Sequence, residues 1–272
     1  FSRYMNRVLE IDPEKRQIRV EPGVILDEMN QLLEPYGLFF GPETSTSNRC
    51  MIGGMVGNNA CGSHSILYGS TRDHTHSVKG FLSDGSEVVF GPLSNEEYHK
   101  KLEGDSLENR IYRKINQILS DPHNREEIER EFPDKSIYRR NTGYSIDLLL
   151  ESQPFTPDGS PLNLSRLICG SEGTLMMLTE ITLNLVPLPP QYKGITAAHF
   201  HTKEEAFRAN LVALKHQPGA VEMMDKIILD LTRDNREQQK NRSFVQGDPG
   251  AILIIEFACD SREEVDQAHH AL

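Results

Sequence analysis

The 272-residue chain has few cysteines, no long apolar run and no excess of positive charge. Its four cysteines, Cys50, Cys61, Cys169 and Cys259, form no C-x-x-C pair. Their spacing suits neither a zinc knuckle nor an iron–sulfur site, and four free thiols in a reducing cytoplasm are expected. A Cys50–Cys61 disulfide stays open at this level. No apolar run approaches the roughly 18–20 residues of a membrane helix. Lys and Arg number 29 against 40 Asp and Glu, a net charge of −11. An acidic chain without a basic run is poorly suited to grip nucleic acid or an anionic bilayer. An initiator Met and a signal-peptide pattern are missing too. The chain opens Phe1-Ser2-Arg3 and ends inside a helical pattern, so a piece of a longer protein is expected.

What is present reads as globular α+β. Val8–Ile11 and Gln17–Val20 flank Asp12-Pro13-Glu14-Lys15 as a hairpin. Val24–Tyr36 places Ile25, Met29, Leu32, Leu33 and Tyr36 on one helical face, with Gly37 at the C-cap. Ser77–Leu82 and Glu87–Phe90 make a second hairpin. Residues 94–135 read as a charged helical excursion on a surface, striped by Leu107, Ile111, Ile115 and Ile118. A β-rich run, Leu175–Val186, precedes the break Pro187, Pro189, Pro190, and a domain boundary is placed near 190. Beyond it the expected order is strand, helix, helix, strand, helix. These are Ile195–Phe200, Lys203–His216 with Phe207, Leu211 and Leu214 aligned, Met224–Asn235, the buried strand Ala251–Ala258, and a helix capped by Ser261 and Glu264.

Between Gly41 and Asp73 periodicity collapses into a Gly-, Ser-, Thr- and Asn-rich stretch, GPETSTSNRCMIGGMVGNNACGSHSILYGSTRD. Loops this long inside a domain are usually functional or disordered, and the interleaved Met51, Ile52, Met55, Val56, Ile66 and Leu67 argue for packing. Small residues let a backbone approach a ligand closely. The amides of Gly53-Gly54 and Asn58-Asn59-Ala60 could form an anion-binding concavity for a dinucleotide pyrophosphate; a folded turn cluster without ligand is the rival reading. There is no G-x-G-x-x-G after a strand and no Gly-Lys-Ser/Thr, so Rossmann and P-loop chemistry fall away. A second glycine turn, Gly170-Ser171-Glu172-Gly173-Thr174, offers a carboxylate to a ribose or adenine edge. Of the ten histidines, His74-x-His76 reads as a solvated pair, His269-His270 as surface, and His64 as a neighbour of the expected ligand. No metal site is expected.

The ordered segments IRVEPGV, GLFFGPETSTSNRCMIGGMVGNNACGSHSILYGSTRDH, RNTGY and CGSEGTL…TEITLNLVPLP resemble the FAD-linked oxidase family. That flavoprotein group contains D-lactate dehydrogenase, D-2-hydroxyglutarate dehydrogenase and the glycolate oxidase flavin subunit. The likeness covers residues 1–190, with PGAVEMMDKIILDLT…GDPGAILIIEF resembling the start of the family's cap. It implies an α+β fold: the second subdomain of a two-subdomain (PCMH-type) FAD-binding domain at 1–190, with a helical insertion about 91–139, then part of a ferredoxin-like cap at 191–272. The family's first-subdomain R-G-G-G-T-S loop is absent here. By motif match, Pro42, Thr44, Ser45, Ser47 and Asn48 are expected along flavin and ribitol. Gly53, Gly54, Asn58, Asn59, Ala60, Gly62 and Ser63 are expected at pyrophosphate and flavin. Glu172, Gly173 and Ile181 are expected on the adenosine side, and Arg140, Asn141 and Tyr144 near the substrate. Cys61 and Met176 stand where the family commonly has Gly, and about a dozen extra residues separate RNTGY from GSEGTL.

The resemblance implies non-covalent FAD and hydride transfer from a D-2-hydroxy acid to flavin N5, with Arg and Lys of the cap clamping the carboxylate. The family's base and metal-ligand histidines belong to a stretch that these residues do not contain, so no catalytic residue is assigned. The larger fused members add an iron–sulfur module further along, outside this chain. Such a piece alone is expected to hold FAD weakly or not at all, and to be inactive. The expected setting is cytoplasmic, with peripheral membrane association of the parent possible, a small-molecule substrate and an unidentified electron acceptor. Two rivals stay open: a non-oxidative flavoenzyme of the alkyl-glycerone-phosphate synthase type, and a cofactor-free binding module.

Overall fold

The computed structural model describes residues 3–137, 139–140 and 143–272. Its contacts divide the chain into two units. The first comprises Phe1–Gly62 and Tyr68–Leu188, the second Ser63–Leu67 and Pro189–Leu272.

The first unit is built on five antiparallel strands: β1 (Val8–Asp12), β2 (Gln17–Val20), β4 (Thr75–Phe81), β5 (Glu87–Phe90) and β6 (Met177–Asn184), in the order β1-β2-β6-β4-β5. A small pair, β3 (Leu38–Phe39) with β7 (Val186–Pro187), stands apart. The strands alternate as two-sided elements must. Ile18, Val20, Val78, Val88, Phe90, Ile181 and Leu183 turn inward and are buried. The outer face carries a line of alternating charge across all five strands. Glu10 pairs with Arg19 at 3.0 Å, Arg19 with Glu180 at 2.6 Å, Lys79 with Glu180 at 3.4 Å, and Lys79 with Glu87 at 3.3 Å. Opposite charges facing each other across strands favour this register.

The first helix, Leu26–Leu33, ends in a 3-10 turn at Glu34–Tyr36, and Gly37 takes the left-handed C-cap (φ 68°). Its inward stripe is Leu26, Met29 and Leu33; Leu32 and Tyr36 are exposed. The charged segment is not a surface excursion. Its helices Asn95–Leu102, Leu107–Ser120 and Pro122–Glu131 drive Tyr98, Tyr112, Ile115, Leu119 and Ile128 into the main core. Tyr112 stands edge-on to Phe90, and Tyr98 to Phe155. The expected stripe packs on the core too, with Ile115 inside it and Leu107, Ile111 and Ile118 at its edge, but Tyr112 and Leu119 go deeper, because a tyrosine ring fills a core as an apolar body.

In the second unit β8 (Tyr192–Phe200), β9 (Ala220–Asp225) and β10 (Ala251–Cys259) form an antiparallel sheet in the order β8-β10-β9. Strand β9 was not expected from sequence, and the helix placed at Met224 begins at Lys226. Helix Lys203–Ala213 lays Ala206 and Ala213 on the sheet, while Phe207 and Leu211 point outward, Leu211 at 65% exposure. Alanines let helix and sheet approach closely, and that contact overrides the larger apolar stripe. His269 is half-buried, while His270 is exposed as expected. His269 hydrogen-bonds Thr196 Oγ1 and stands edge-on to Phe257. Ser261 Oγ accepts the Glu264 amide at 3.2 Å, as its spacing implied.

The sheet predicts a contrast between its faces. Ile181→Ala should cost about 2–5 kcal/mol in urea unfolding, and Glu180→Gln under about 1 kcal/mol, shrinking in high salt. The hydrogen bond from Arg19 is the main cause holding the Glu180 carboxyl below its ordinary range. Its contribution is therefore complete above the unfolded carboxylate value of about 4.3 and lost as pH falls through the lower folded value. Glu180→Gln should flatten acid unfolding in that window.

Candidate functional site

The glycine-rich stretch folds into tight turns around one short helix, Ile52–Asn58. Residues 44–50 loop back onto the start of helix Leu26–Leu33, whose Leu26 and Asp27 amides donate to Cys50 O and Ser47 O. The short helix then ends at Asn59, which is buried and left-handed (φ 54°). Its last carbonyls collect donors from two directions. The Asn59 and Ala60 amides bond Val56 O and Met55 O, and the Gly170 and Glu172 amides bond Val56 O and Gly57 O, both at 2.9 Å. The Gly170–Thr174 turn thereby seats on the helix end, satisfying carbonyls that a helix terminus otherwise leaves open.

Beside this junction lies a cleft of about 570 Å3. Its walls are apolar, from Pro22, Met51, Ile168, Met176, Met177 and Leu178. Its floor is bare backbone at Gly53, Gly54, Gly57 and Gly173, with Ser171 and Glu172 as polar groups. Among the described lining residues there is no Lys, Arg or His. Asn58 Nδ2 donates to Glu172 Oε1 at 3.0 Å, orienting the carboxylate. Glu172 itself holds a positive φ of 52°, a strained conformation for a side-chain-bearing residue and one found at ligand-facing turns.

Of the expected site residues, Gly53, Gly54, Glu172 and Gly173 line this cleft, and Asn58 reaches it through Glu172. Pro42, Thr44, Ser45, Ser47 and Asn48 lie in the preceding loop and do not line it. Thr44 Oγ1 donates to Cys50 Sγ, and Asn48 Oδ1 accepts from Arg49. Ala60 is half-buried, its carbonyl taken by the Thr71 amide and hydroxyl. Ser63 groups with the second unit. Ile181 is 0% exposed in the core, registered between Val20 and Val78, and does not line the cleft. Arg140 pairs with Asp147 in a separate pocket beside Phe132 and Leu150, not in the cleft. Tyr144 OH lies 2.7 Å from Thr174 Oγ1, on the glycine turn. Asn141 lies outside the described residues. The methionine walls escaped sequence reading, although Met176 in place of a common Gly was a visible signal.

The glycines divide by what they approach. The Gly53 amide donates to Pro22 O at 2.8 Å, and a Cβ there would sit 2.6 Å from Pro22 Cβ. A Cβ on Gly62 would lie 2.1 Å from Glu43 O. Both let backbone meet backbone. Gly54 and Gly173 face open space within the cleft. The expected concavity of amides at Gly53 and at Asn59-Ala60 is thus occupied by the fold's own carbonyls.

All four cysteines are free. His74 is buried rather than solvated, between Tyr68 O (2.7 Å) and Asn184 O (3.3 Å). His64 Nε2 lies 3.0 Å from Glu256 Oε1 within the second unit, and the neighbouring Lys193 pairs with the same oxygen at 3.2 Å. No group of three His, Cys, Asp or Glu suited to a metal occurs among the described residues.

Two measurements check this geometry. Gly53→Ala and Gly62→Ala should each destabilise by about 1–3 kcal/mol through overpacking. Gly54→Ala should be neutral or stabilising by up to about 1 kcal/mol, since helix propensity rises where space is open. Burial pushes the Cys169 thiol up to about 11, so alkylation of the native chain at pH 8 should spare Cys169 while Cys50 and Cys61 react.

Residues 1–91 match the family described as FAD binding domain. The D-2-hydroxyglutarate dehydrogenase of Pantoea ananatis is 33% identical over 271 residues, covering 98% of this chain and 26% of that protein. The Escherichia coli D-2-hydroxyglutarate dehydrogenase is 33% identical over 276 residues, covering 100% and 26%. Glycolate oxidase subunit GlcD of Bacillus subtilis is 25% identical over 233 residues, covering 85% and 37%. Among solved structures, an alkyldihydroxyacetonephosphate synthase superposes with a TM-score of 0.57 at 16% identity over 99% of this chain and 39% of its own, a likeness of fold. The chain spans about a quarter of the length of the D-2-hydroxyglutarate dehydrogenases it matches. With the cleft, its glycine turn and these relatives together, the chain belongs to the FAD-linked oxidase family.

Proposed function

We propose that this chain forms one wall of the FAD site of a flavin-dependent 2-hydroxy-acid dehydrogenase, with D-2-hydroxyglutarate as the substrate. The observation that carries the reading is the cleft itself. An apolar slot with bare backbone at Gly54 and Gly173 and one oriented carboxylate suits the adenosine end of a dinucleotide. The substrate proposal leans on the D-2-hydroxyglutarate dehydrogenases, which share more identity with the chain than the glycolate oxidase subunits do.

Bound FAD supplies the hydride acceptor for oxidation of the hydroxy acid. The chain's residues bind and orient. Glu172, held by Asn58, accepts hydrogen bonds from ribose hydroxyls or the adenine amine. Met51, Met176 and Met177 adapt to the flat ring and exclude water from its faces. Arg140 is engaged by Asp147, so clamping of the substrate carboxylate is not assigned to it. Among the described residues no helix is long and apolar enough to cross a membrane.

The test is titration of the chain with FAD and with ADP. Both should bind weakly but saturably, with similar affinity, because the contacts lie on the adenosine side. Gly54→Leu, which fills the cleft without meeting the core, should weaken both by roughly tenfold. Absence of saturable binding to the unaltered chain, or indifference to Gly54→Leu, would sink the proposal. For the substrate, anaerobic bleaching of the intact flavoprotein that carries this chain should be faster with D-2-hydroxyglutarate than with glycolate or D-lactate.

A further inference from the structure

Arg72 is 5% exposed, and its side chain faces backbone rather than an acid. Nε donates to Arg166 O at 3.0 Å, one Nη to Cys169 O at 2.6 Å, and the other Nη to Arg140 O at 3.4 Å. Its own amide donates to Asn59 Oδ1 at 2.8 Å. One residue therefore joins the cap of helix Ile52–Asn58, the strand of chain leading into the Gly170–Thr174 turn, and the segment at Arg140. A buried charge is costly unless its donors are all engaged. A planar fork meets that demand in three directions at once, whereas an ammonium is a single point of charge.

The same two segments meet a second time. Thr174 Oγ1 donates to Ser171 O at 2.6 Å, so Tyr144 OH donates to Thr174 Oγ1 at 2.7 Å. Gly170 sits between them at φ 86°, where a Cβ would lie 2.8 Å from Arg72 Nη2 and 3.2 Å from Gly143 O. The turn that presents Glu172 and Gly173 to the cleft is thus gripped from behind by Arg72 and from outside by Tyr144.

We propose that Arg72 is a positioning residue for dinucleotide binding: it fixes the Ser171–Gly173 turn against Arg140 and its neighbours Gly143 and Tyr144, so that affinity at the cleft depends on its guanidinium fork. Arg72 touches no ligand in this scheme. The proposal rests on the FAD reading for its ligand, while its structural half stands on the hydrogen bonds alone.

The experiment combines hydrogen–deuterium exchange with ADP and FAD titration of the full chain. Arg72→Lys should raise exchange at Arg140, Gly143 and Tyr144 and in 170–174 together. It should weaken ADP and FAD by the same factor, on the order of tenfold, as expected for losing a charge-assisted hydrogen bond. Tyr144→Phe removes the outer link at a residue that is itself 47% exposed, so folding is not at stake. It should loosen 170–174 and weaken both ligands by roughly twofold to threefold. A general structural role would lower the melting temperature of Arg72→Lys yet leave the dissociation constant of its folded population unchanged, and that result overturns the proposal. Exchange that rises in one segment alone, or in neither, overturns it as well. If the unaltered chain binds neither ADP nor FAD, the cofactor reading fails separately, and the paired exchange response still decides whether Arg72 couples the two segments.

Discussion

A helix of seven residues ends in carbonyls that need donors, and in this chain the donors come from the segment that carries the cleft's carboxylate. The end of Ile52–Asn58 is the point from which the site is assembled. Asn59 turns the chain left-handed there and offers its side-chain oxygen to the Arg72 amide. The amides of Gly170 and Glu172 fill Val56 O and Gly57 O. Residues far apart in sequence are thereby placed within a few ångströms without any side chain of the cleft being used as a strut. Glu172 points outward, its carboxylate steadied by Asn58. Its positive φ is a cost held in place by its own amide's bond to Gly57 O and the Gly170 amide's bond to Val56 O.

Much of the fold was legible from local pattern. The two hairpins of the first unit follow from alternation bounded by turn residues, and the Ser261–Glu264 spacing marked a helix start that the structure contains. What was illegible has physical causes. Strand β9 is Ala-Val-Glu-Met-Met-Asp, and methionine and glutamate carry no strand signature. The Lys203–Ala213 helix shows its largest apolar residues to the outside because its alanines sit closer to the sheet than Phe207 or Leu211 could. Periodicity counts hydrophobicity and is blind to the depth of approach. The tyrosines of the charged helices were passed over for the same reason: a ring with a hydroxyl reads as polar, yet Tyr98 and Tyr112 lie in the core.

At the site, motif matching and geometry agree on the turn and diverge on the approach to it. Gly53, Gly54, Glu172 and Gly173 come together around one space. Ile181, matched with them by sequence order, lies in the core and not on the cleft wall. Arg140 and Tyr144, close in sequence, part ways: one goes to Asp147, the other to Thr174. Sequence neighbours at a loop need not share a pocket, because each side chain answers to the nearest charge or hydroxyl that the fold presents.

Charge limits what the cleft can hold. The chain is acidic by eleven charges, and the described walls of the cleft add Glu172 but no cation. A pyrophosphate placed directly against that carboxylate would meet repulsion in an apolar slot, where screening is weak. An adenine ring and its ribose meet no such penalty: the ring faces are apolar, and the hydroxyls and amine are donors that a carboxylate accepts. Under the proposed reading the phosphates belong away from Glu172, toward Gly54, where a Cβ would meet open space, rather than the engaged amide of Gly53. If the proposed dinucleotide occupies this wall, its orientation follows from the position of one carboxylate and one bare glycine.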